Sequence, residues 1–425
     1  MRILYDIFFI IFSLVYIPYL LLKRKLHRDF PQKFGFLQEE ITRLDRPIWI
    51  HAVSVGEAAV ASRLAKEIKE HHPNVPIVVS TTTQTGNDMI CKLGKGIVDA
   101  VFYYPVDISF VVAKVVKRIN PRLYVMVETE LWPNLLASLH SHSVPVVMAN
   151  GRISDNSFKN YQKISFITKN ILSCIDTFCM QSDKDAERII ALGAPKEKVS
   201  TCGNMKFDMA DSSVREFTKE DLGFSSDSPI LIAGSTHPPE EQMIIDMFLA
   251  LREDFPKLKL ILAPRHIERR DAIKVYLDKS SLACKCFSDM ISGEGEVTPL
   301  AGDVLLVDTI GHIKDIYSVA TVIFVGGSLV DKGGQNPIEG ARWAKPILFG
   351  PYMHNFREIS SIFEECGAAV KAKDLNGLEV EVRSLLEDKG KRDKAGLKAA
   401  TVIEVNTGAV LRTMEKIENY IGKKN

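Results

Sequence analysis

The sequence has little that would mark it for redox, metal or dinucleotide chemistry. Its seven cysteines form an odd set. Only Cys284 and Cys286 lie close together, and no CxxC or Cys/His pattern with zinc spacing occurs. They read as reduced thiols in a cytosolic compartment. Ten histidines, the pair His71-His72 included, show no HExxH or other ligand spacing, so no metal is expected. A GxGxxG fingerprint is missing, which leaves a dinucleotide site without support. Neither sign of charge dominates: 54 Lys and Arg against 53 Asp and Glu give a formal net charge of +1. That balance gives no global pull toward nucleic acid. Short-period repeats and low-complexity segments are absent as well.

What is present is a globular composition, 46% hydrophobic and 25% charged, in 425 residues. That length exceeds one ordinary core, so two domains are expected. The N-terminus stands apart. Residues 7–22, IFFIIFSLVYIPYLLL, are apolar except for Ser13, and Lys23, Arg24, Lys25 and Arg28 follow at once. A cleavable signal peptide would carry its positive charge before the apolar run. Here the basic cluster lies behind it, which by the positive-inside rule keeps everything downstream in the cytoplasm. The run is short against the about 20 residues of a full span, which residues 3–22 reach only by including Asp6. The expectation is an N-terminal membrane-anchoring helix over residues 1–30, spanning the bilayer or lying at its surface.

Beyond a linker near PQKFGF, β-branched runs alternate with helical patterns. PIWIHAV (47–53), PIVVSTT (76–82), AVFYYP (100–105), LYVMVE (123–128), PVVMANG (145–151) and TFCMQS (177–182) predict strands. A second set begins near residue 229 with PILIAGST, KLKLILAPR, DVLLVDT, TVIFVGGS and KPILFGP. The polar stretch SSVREFTKEDLGFSSDSP separates them. The rhythm predicts an α/β protein of two doubly wound, Rossmann-like domains facing a cleft, over residues 31–210 and 211–425. Sheets of this kind bind ligands at the carboxyl ends of their strands.

The unusual residues cluster there. In His51-Ala-Val-Ser-Val-Gly-Glu57 a carboxylate follows a glycine where a strand gives way to a helix. It reads as a first-turn acid favoured by the helix dipole, or as a general base on the rim of an active site. Val127-Glu-Thr-Glu-Leu-Trp-Pro-Asn134 sets Glu128 and Glu130 at another strand end, where close like charges point to function. Lys206, in Gly203-Asn-Met-Lys-Phe-Asp208, reads as a cation able to reach the cleft and offer charge to a developing anion, or as a solvated surface lysine. In the second half, two Gly-Gly pairs in Phe324–Glu339 suit close approach of backbone N–H groups to a phosphate. Asn336 and Glu339, one helical turn apart, read as ribose ligands or as a capping box with Pro337 at the first helical position. Ala233-Gly-Ser-Thr-His237, Ala263-Pro-Arg-His266 and Asp308-Thr-Ile-Gly-His312 end further strands, and four such turns together point to a nucleotide site. Asp183-Lys-Asp185 matches a DxD pattern formally but reads as a helix cap behind Ser182.

Taken together, SVGE (54–57), ETELWPN (128–134), NGRIS (150–154), GNMKFD (203–208), AGSTH (233–237), APRH (263–266), GGSLV..GGQNPIE (326–339) and GP..HNF (350–356) resemble one family. It is that of the 3-deoxy-D-manno-octulosonic acid (Kdo) transferases of lipopolysaccharide inner-core synthesis. The resemblance runs from the N-terminal anchor to about residue 360. It implies a GT-B fold, CMP-Kdo as donor, a lipid A precursor (lipid IVA) as acceptor, and a metal-independent, inverting transfer without a cofactor. It places the protein at the inner membrane, with its catalytic domains on the cytoplasmic face. Carried over by position, Glu57 resembles the general base, and Glu128 and Lys206 the residues that stabilise the transition state. Pro264 and Arg265, Ile310, Gly311 and His312, and Asn336, Pro337, Ile338 and Glu339 resemble the CMP-binding segments. His312 stands where the family commonly has an acid, Gln335 where it has His, and Gly340 where a bulkier residue is usual. Two other readings stand beside this one: a GT-B transferase or epimerase using a UDP-sugar, and an inactive homologue that binds lipid or nucleotide. The second would be marked by loss of Glu57, Glu128 or Lys206, and all three are present.

Overall fold

Apolar runs with little polar alternation belong to strands buried on both faces, and parallel sheets are where such strands occur. The computed structural model describes residues 5–7, 30–209, 215–291 and 302–422, and these runs form two parallel sheets in it. The first contains β1 (Ile48–Ala52), β2 (Ile77–Thr81), β3 (Ala100–Tyr103), β4 (Leu123–Val127), β5 (Val146–Gly151), β6 (Thr177–Met180) and β7 (Val199–Thr201). Their order is β3-β2-β1-β4-β5-β6-β7. Alternate residues enter opposite cores. Trp49, Val78 and Tyr124 lie on one face, Ile50, Val79 and Val125 on the other. The order reverses between β1 and β4, whose registers run from Ile48 beside Leu123 to His51 beside Met126. The turns that leave these two strands are therefore neighbours. One leads to Glu57, the other begins with Glu128.

The second sheet contains β8 (Ile230–Thr236), β9 (Lys259–Pro264), β10 (Cys284–Cys286), β11 (Val304–Leu306), β12 (Val322–Val325), β13 (Ile347–Phe349) and β14 (Ala369–Lys371), in the order β10-β11-β9-β8-β12-β13-β14. Its reversal lies between β8 and β12, which brings the AGSTH turn beside the first Gly-Gly turn. Three edge strands, β7, β10 and β14, escaped the sequence reading. Each is three residues long and only partly buried, so unlike the equally short β11 and β13 it carries no apolar run. Cys284 and Cys286 flank Lys285 on β10, so their spacing is that of a strand.

The described residues up to Met209, joined by those from Thr407 onward, form one compact unit; those between, up to Asn406, form the second. This corrects the expectation that residues 211–425 stay together. The cause is the helix Ala409–Ile421, whose Val410, Met414, Ile417 and Ile421 sit at helical spacing and join the core beside Ala58, Ala61 and Leu64. Burial of such side chains contributes roughly 1.5–3 kcal/mol each. Asp208 holds the start of this helix by accepting from the N–H groups of Gly408 and Val410, and Arg412 donates to the Cys202 carbonyl at 2.7 Å.

The expected anchor over residues 1–30 lies almost wholly outside the described residues. Among those described, no helix is long and apolar enough to cross a membrane. Asp6, which a span over residues 3–22 would have to carry, instead accepts from the Ser109 backbone at 3.0 Å and the Asn134 side chain at 2.7 Å. It thus serves the starts of two helices, Ser109–Ile119 and Pro133–Ser141.

Candidate active site

At the end of β1 the chain turns at Ser54, which caps the helix Val55–His71. Glu57 reaches back to close a capping box: its Oε2 accepts from Val53 N at 2.8 Å, and its Oε1 from Ser54 Oγ at 2.8 Å and Ser54 N at 3.3 Å. The structural and the catalytic readings of this residue are therefore compatible. Glu57 is only 7% exposed. Burial pushes its carboxyl above the ordinary range, the Val53 and Ser54 donors hold it down, and the charge of Glu128 pushes it up again. A helix N-terminus alone would have made it a weaker base. The surrounding protein reverses that sign.

Glu128 leaves β4 in the left-handed backbone region, φ +59°, a conformation that costs a non-glycine residue energy. That bend sends its side chain to Lys206, whose Nζ lies 3.1 Å from Oε1. Lys206 sits on the 3-10 turn Met205–Met209, positioned by two asparagines. Asn150 accepts from Met205 N at 2.9 Å and Asn204 from Lys206 N at 3.0 Å. A Cβ on Gly56 would lie 4.0 Å from Lys206 Cε, so the lysine stem passes the start of the Glu57 helix. Glu57, Glu128 and Lys206 thus converge in the first unit. A buried carboxylate of raised proton affinity beside an ammonium–carboxylate pair can take a proton and stabilise charge of either sign.

In the second unit Pro264 ends β9, and Arg265 N donates to Thr236 O at 2.9 Å. Ile310 is 72% exposed, and Gly311 has φ +95° with open space around it. His312 is fixed by Thr309 Oγ1 at 2.9 Å and by the Phe287 ring, 5.2 Å away. Trp343 Nε1 donates to Lys314 O at 2.7 Å, tying that turn to the short helix Ile338–Ala341. Of the two readings of Asn336 and Glu339, the capping box does not form. Asn336 accepts from Ile338 N at 3.1 Å, and the helix starts with no side-chain cap. The Glu339 carboxyl is raised by burial and drawn down by Arg265, Lys314 and the Asn336 side chain. Arg265, the 310–314 turn and Asn336–Glu339 are therefore brought together.

The first Gly-Gly turn differs from its sequence reading. The N–H groups of Gly327, Ser328 and Leu329 all donate to Glu240, at 2.6, 2.9 and 2.8 Å, as does that of His237 at 2.9 Å. They are engaged inside the protein and do not point at a phosphate. Gly326 is needed for close approach, since a Cβ there would lie 2.6 Å from Thr236 Cα. Glu240 gave no sequence signal beyond a first-turn acid. Asp185 is likewise used internally, accepting from Ile153 N at 2.8 Å and Ser182 Oγ, as its reading as a cap expects.

Known proteins fit this arrangement. Residues 28–209 match the model of a family described as 3-deoxy-D-manno-octulosonic-acid transferase (kdotransferase). The 3-deoxy-D-manno-octulosonic acid transferase of Haemophilus influenzae is 32% identical over 395 residues, covering 92% of this chain and 91% of its own. The chain belongs to the Kdo transferase family. It is a glycosyltransferase. The Kdo transferase of Chlamydophila psittaci is 29% identical, over 98% of this chain and 96% of its own. Among solved structures, a UDP-N-acetylglucosamine 2-epimerase aligns with a TM-score of 0.58 over 90% of this chain and 98% of its own. At 14% identity that likeness concerns the fold alone.

The departures from the family pattern have local explanations. Gln335 Nε2 lies 3.2 Å from His237 Nε2, so the amide pairs with the AGSTH histidine. Gly340 packs against the sheet, where a Cβ would come within 2.9 Å of Ile323 Cδ1 and 3.0 Å of Ile347 Cδ1.

Proposed function

We propose that the protein transfers Kdo from CMP-Kdo to a primary hydroxyl of a lipid A precursor, inverting the anomeric centre, with Glu57 as general base. The observation that carries this reading is the buried Glu57 carboxyl beside the Glu128–Lys206 pair. Glu57 takes the proton of the attacking hydroxyl, a step worth about 10²–10⁴-fold in rate. Oxocarbenium character at the Kdo anomeric carbon is met by the Glu128 carboxylate, and the charge of the departing CMP phosphate by the Lys206 ammonium. In this reading the two units form a GT-B enzyme whose second unit holds CMP through Pro264, Arg265, Ile310–His312 and Asn336–Glu339. The apolar segment within residues 1–30 keeps the enzyme at the inner membrane, with its chemistry on the cytoplasmic face.

The test is an assay for labelled Kdo appearing on lipid, with mass spectrometry of the product. CMP release is expected only when lipid acceptor is present. Consumption of a UDP-sugar in place of CMP-Kdo, or tighter calorimetric binding of UDP than CMP, would replace this reading with the UDP-sugar alternative. Lys206→Ala is expected to lower kcat by about 10²-fold while circular dichroism stays unchanged. A variant that keeps half its rate takes Lys206 out of the transition state.

A further inference from the structure

Three carboxylates converge beyond β1 and β4, and they are not equally compensated. Glu57 receives its capping-box donors, and Glu128 receives the Lys206 ammonium. Glu130 receives one neutral donor, Trp132 Nε1, 3.0 Å from its Oε2. Its Oε1 has no hydrogen-bond or ion-pair partner among the described residues. The charges that act on it most strongly are those of its own sign. Glu57 faces it from the helix start, and Glu128 with Lys206 from its own turn. The phenols Tyr104, Tyr124 and Tyr161 sense its charge from the turn after β3, from β4 and from the helix Asp155–Lys163. Tyr104 stacks on Trp132 with centroids 5.3 Å apart and on His51 at 4.1 Å, with Asp107 beyond. The Tyr104 and Tyr124 hydroxyls are buried and have no hydrogen-bond partner among the described residues. A full negative charge on the half-buried Glu130 would stand beside two others with a single neutral donor.

We propose that Glu130 works in its protonated form, its Oε1–H donating a hydrogen bond to a sugar oxygen of the acceptor, beside the hydroxyl that Glu57 deprotonates. The proposal rests on the reading of Glu57 as the acceptor's base. It divides the cluster by role: Glu57 accepts a proton, Glu128 supplies charge, and Glu130 donates a hydrogen bond that an ionised carboxylate cannot make. The proton affinities agree. Burial first, then the charge of Glu57, push the Glu130 carboxyl up to about 7, against the pull of the Trp132 bond. The sign follows. Below that value the donor is present, and as pH rises through it the donor becomes a repelling anion.

The experiment has two arms. In the ligand-free full-length protein, carbon-13 NMR of labelled glutamate side chains is expected to show one carboxyl titrating near 7 that disappears in Glu130→Gln. If every glutamate titrates in the ordinary carboxylate range, the proposal is overturned, whatever the activity. In the transfer assay, wild-type kcat/KM for the lipid acceptor is expected to fall up to about tenfold per pH unit above that value, chiefly through KM. Glu130→Gln keeps a donor that does not titrate, so its profile is expected to flatten between pH 6.5 and 8.5 at a severalfold lower starting rate. Glu130→Ala is expected to lose more than tenfold at pH 6.5. An alkaline fall that persists in Glu130→Gln overturns the proposal. If the carboxyl near 7 is found but Kdo never reaches lipid, it is the functional reading that fails, and the acceptor role of Glu130 with it.

Discussion

Glu57→Gln is expected to lower kcat for Kdo transfer by about 10²–10⁴-fold, the range a positioned general base supplies. The amide fills the same space, but only one of its two heads can accept. In the wild type Oε2 faces Val53 N and Oε1 faces Ser54, so in the variant an NH₂ group must confront a donor. Loss of one capping bond costs about 0.5–2 kcal/mol of stability, too little to unfold a unit this size. Rate and fold should therefore separate: CMP release falls to near background while the thermal transition moves by a few degrees. CMP affinity is expected to stay close to the wild-type value, because the segments proposed to hold CMP belong to the other unit. Retention of most of the rate removes the base from the mechanism.

The second large effect is expected in the second unit. Glu240→Ala strands four backbone N–H groups, those of His237, Gly327, Ser328 and Leu329, all of which converge on this one carboxylate. Each buried donor left unpaired costs about 1–3 kcal/mol, less where water can enter. A loss on the order of 3–5 kcal/mol is expected for the second unit, with a collapse of CMP affinity as the turn loses its shape. Glu240→Gln keeps acceptor capacity on one head and should fall between. Calorimetric unfolding together with CMP titration checks both numbers. A stable Glu240→Ala protein that binds CMP normally would show that the turn holds its shape without the carboxylate.

How much of this was legible in the sequence depended on how local its cause is. The long strands were readable because five consecutive apolar residues have few alternatives, as in β4, Leu-Tyr-Val-Met-Val, where every residue is buried. The edge strands β7, β10 and β14 were not, because they are only partly buried and carry no apolar run. Glu57 stood out because Ser54-x-x-Glu57 is a capping signature next to a strand end. Its proton affinity did not, since burial is a property of the assembled unit. Glu128 and Glu130 looked alike as a pair of acids. Only their surroundings, a lysine for one and an indole for the other, tell them apart. Glu240 shows the limit most plainly. Three of its partners lie 87 to 89 residues away, beyond any local pattern. The helix Ala409–Ile421 had a readable apolar stripe, but nothing in a stripe says which core it will join.

That helix has a consequence for synthesis. The ribosome delivers the whole second unit before the strip of core that completes the first. The earlier-made unit must wait with Ala58, Ala61 and Leu64 partly uncovered until Val410 and Met414 arrive, so it matures last. Removing the final helix should therefore injure the lobe that was translated first and spare the one translated just before it.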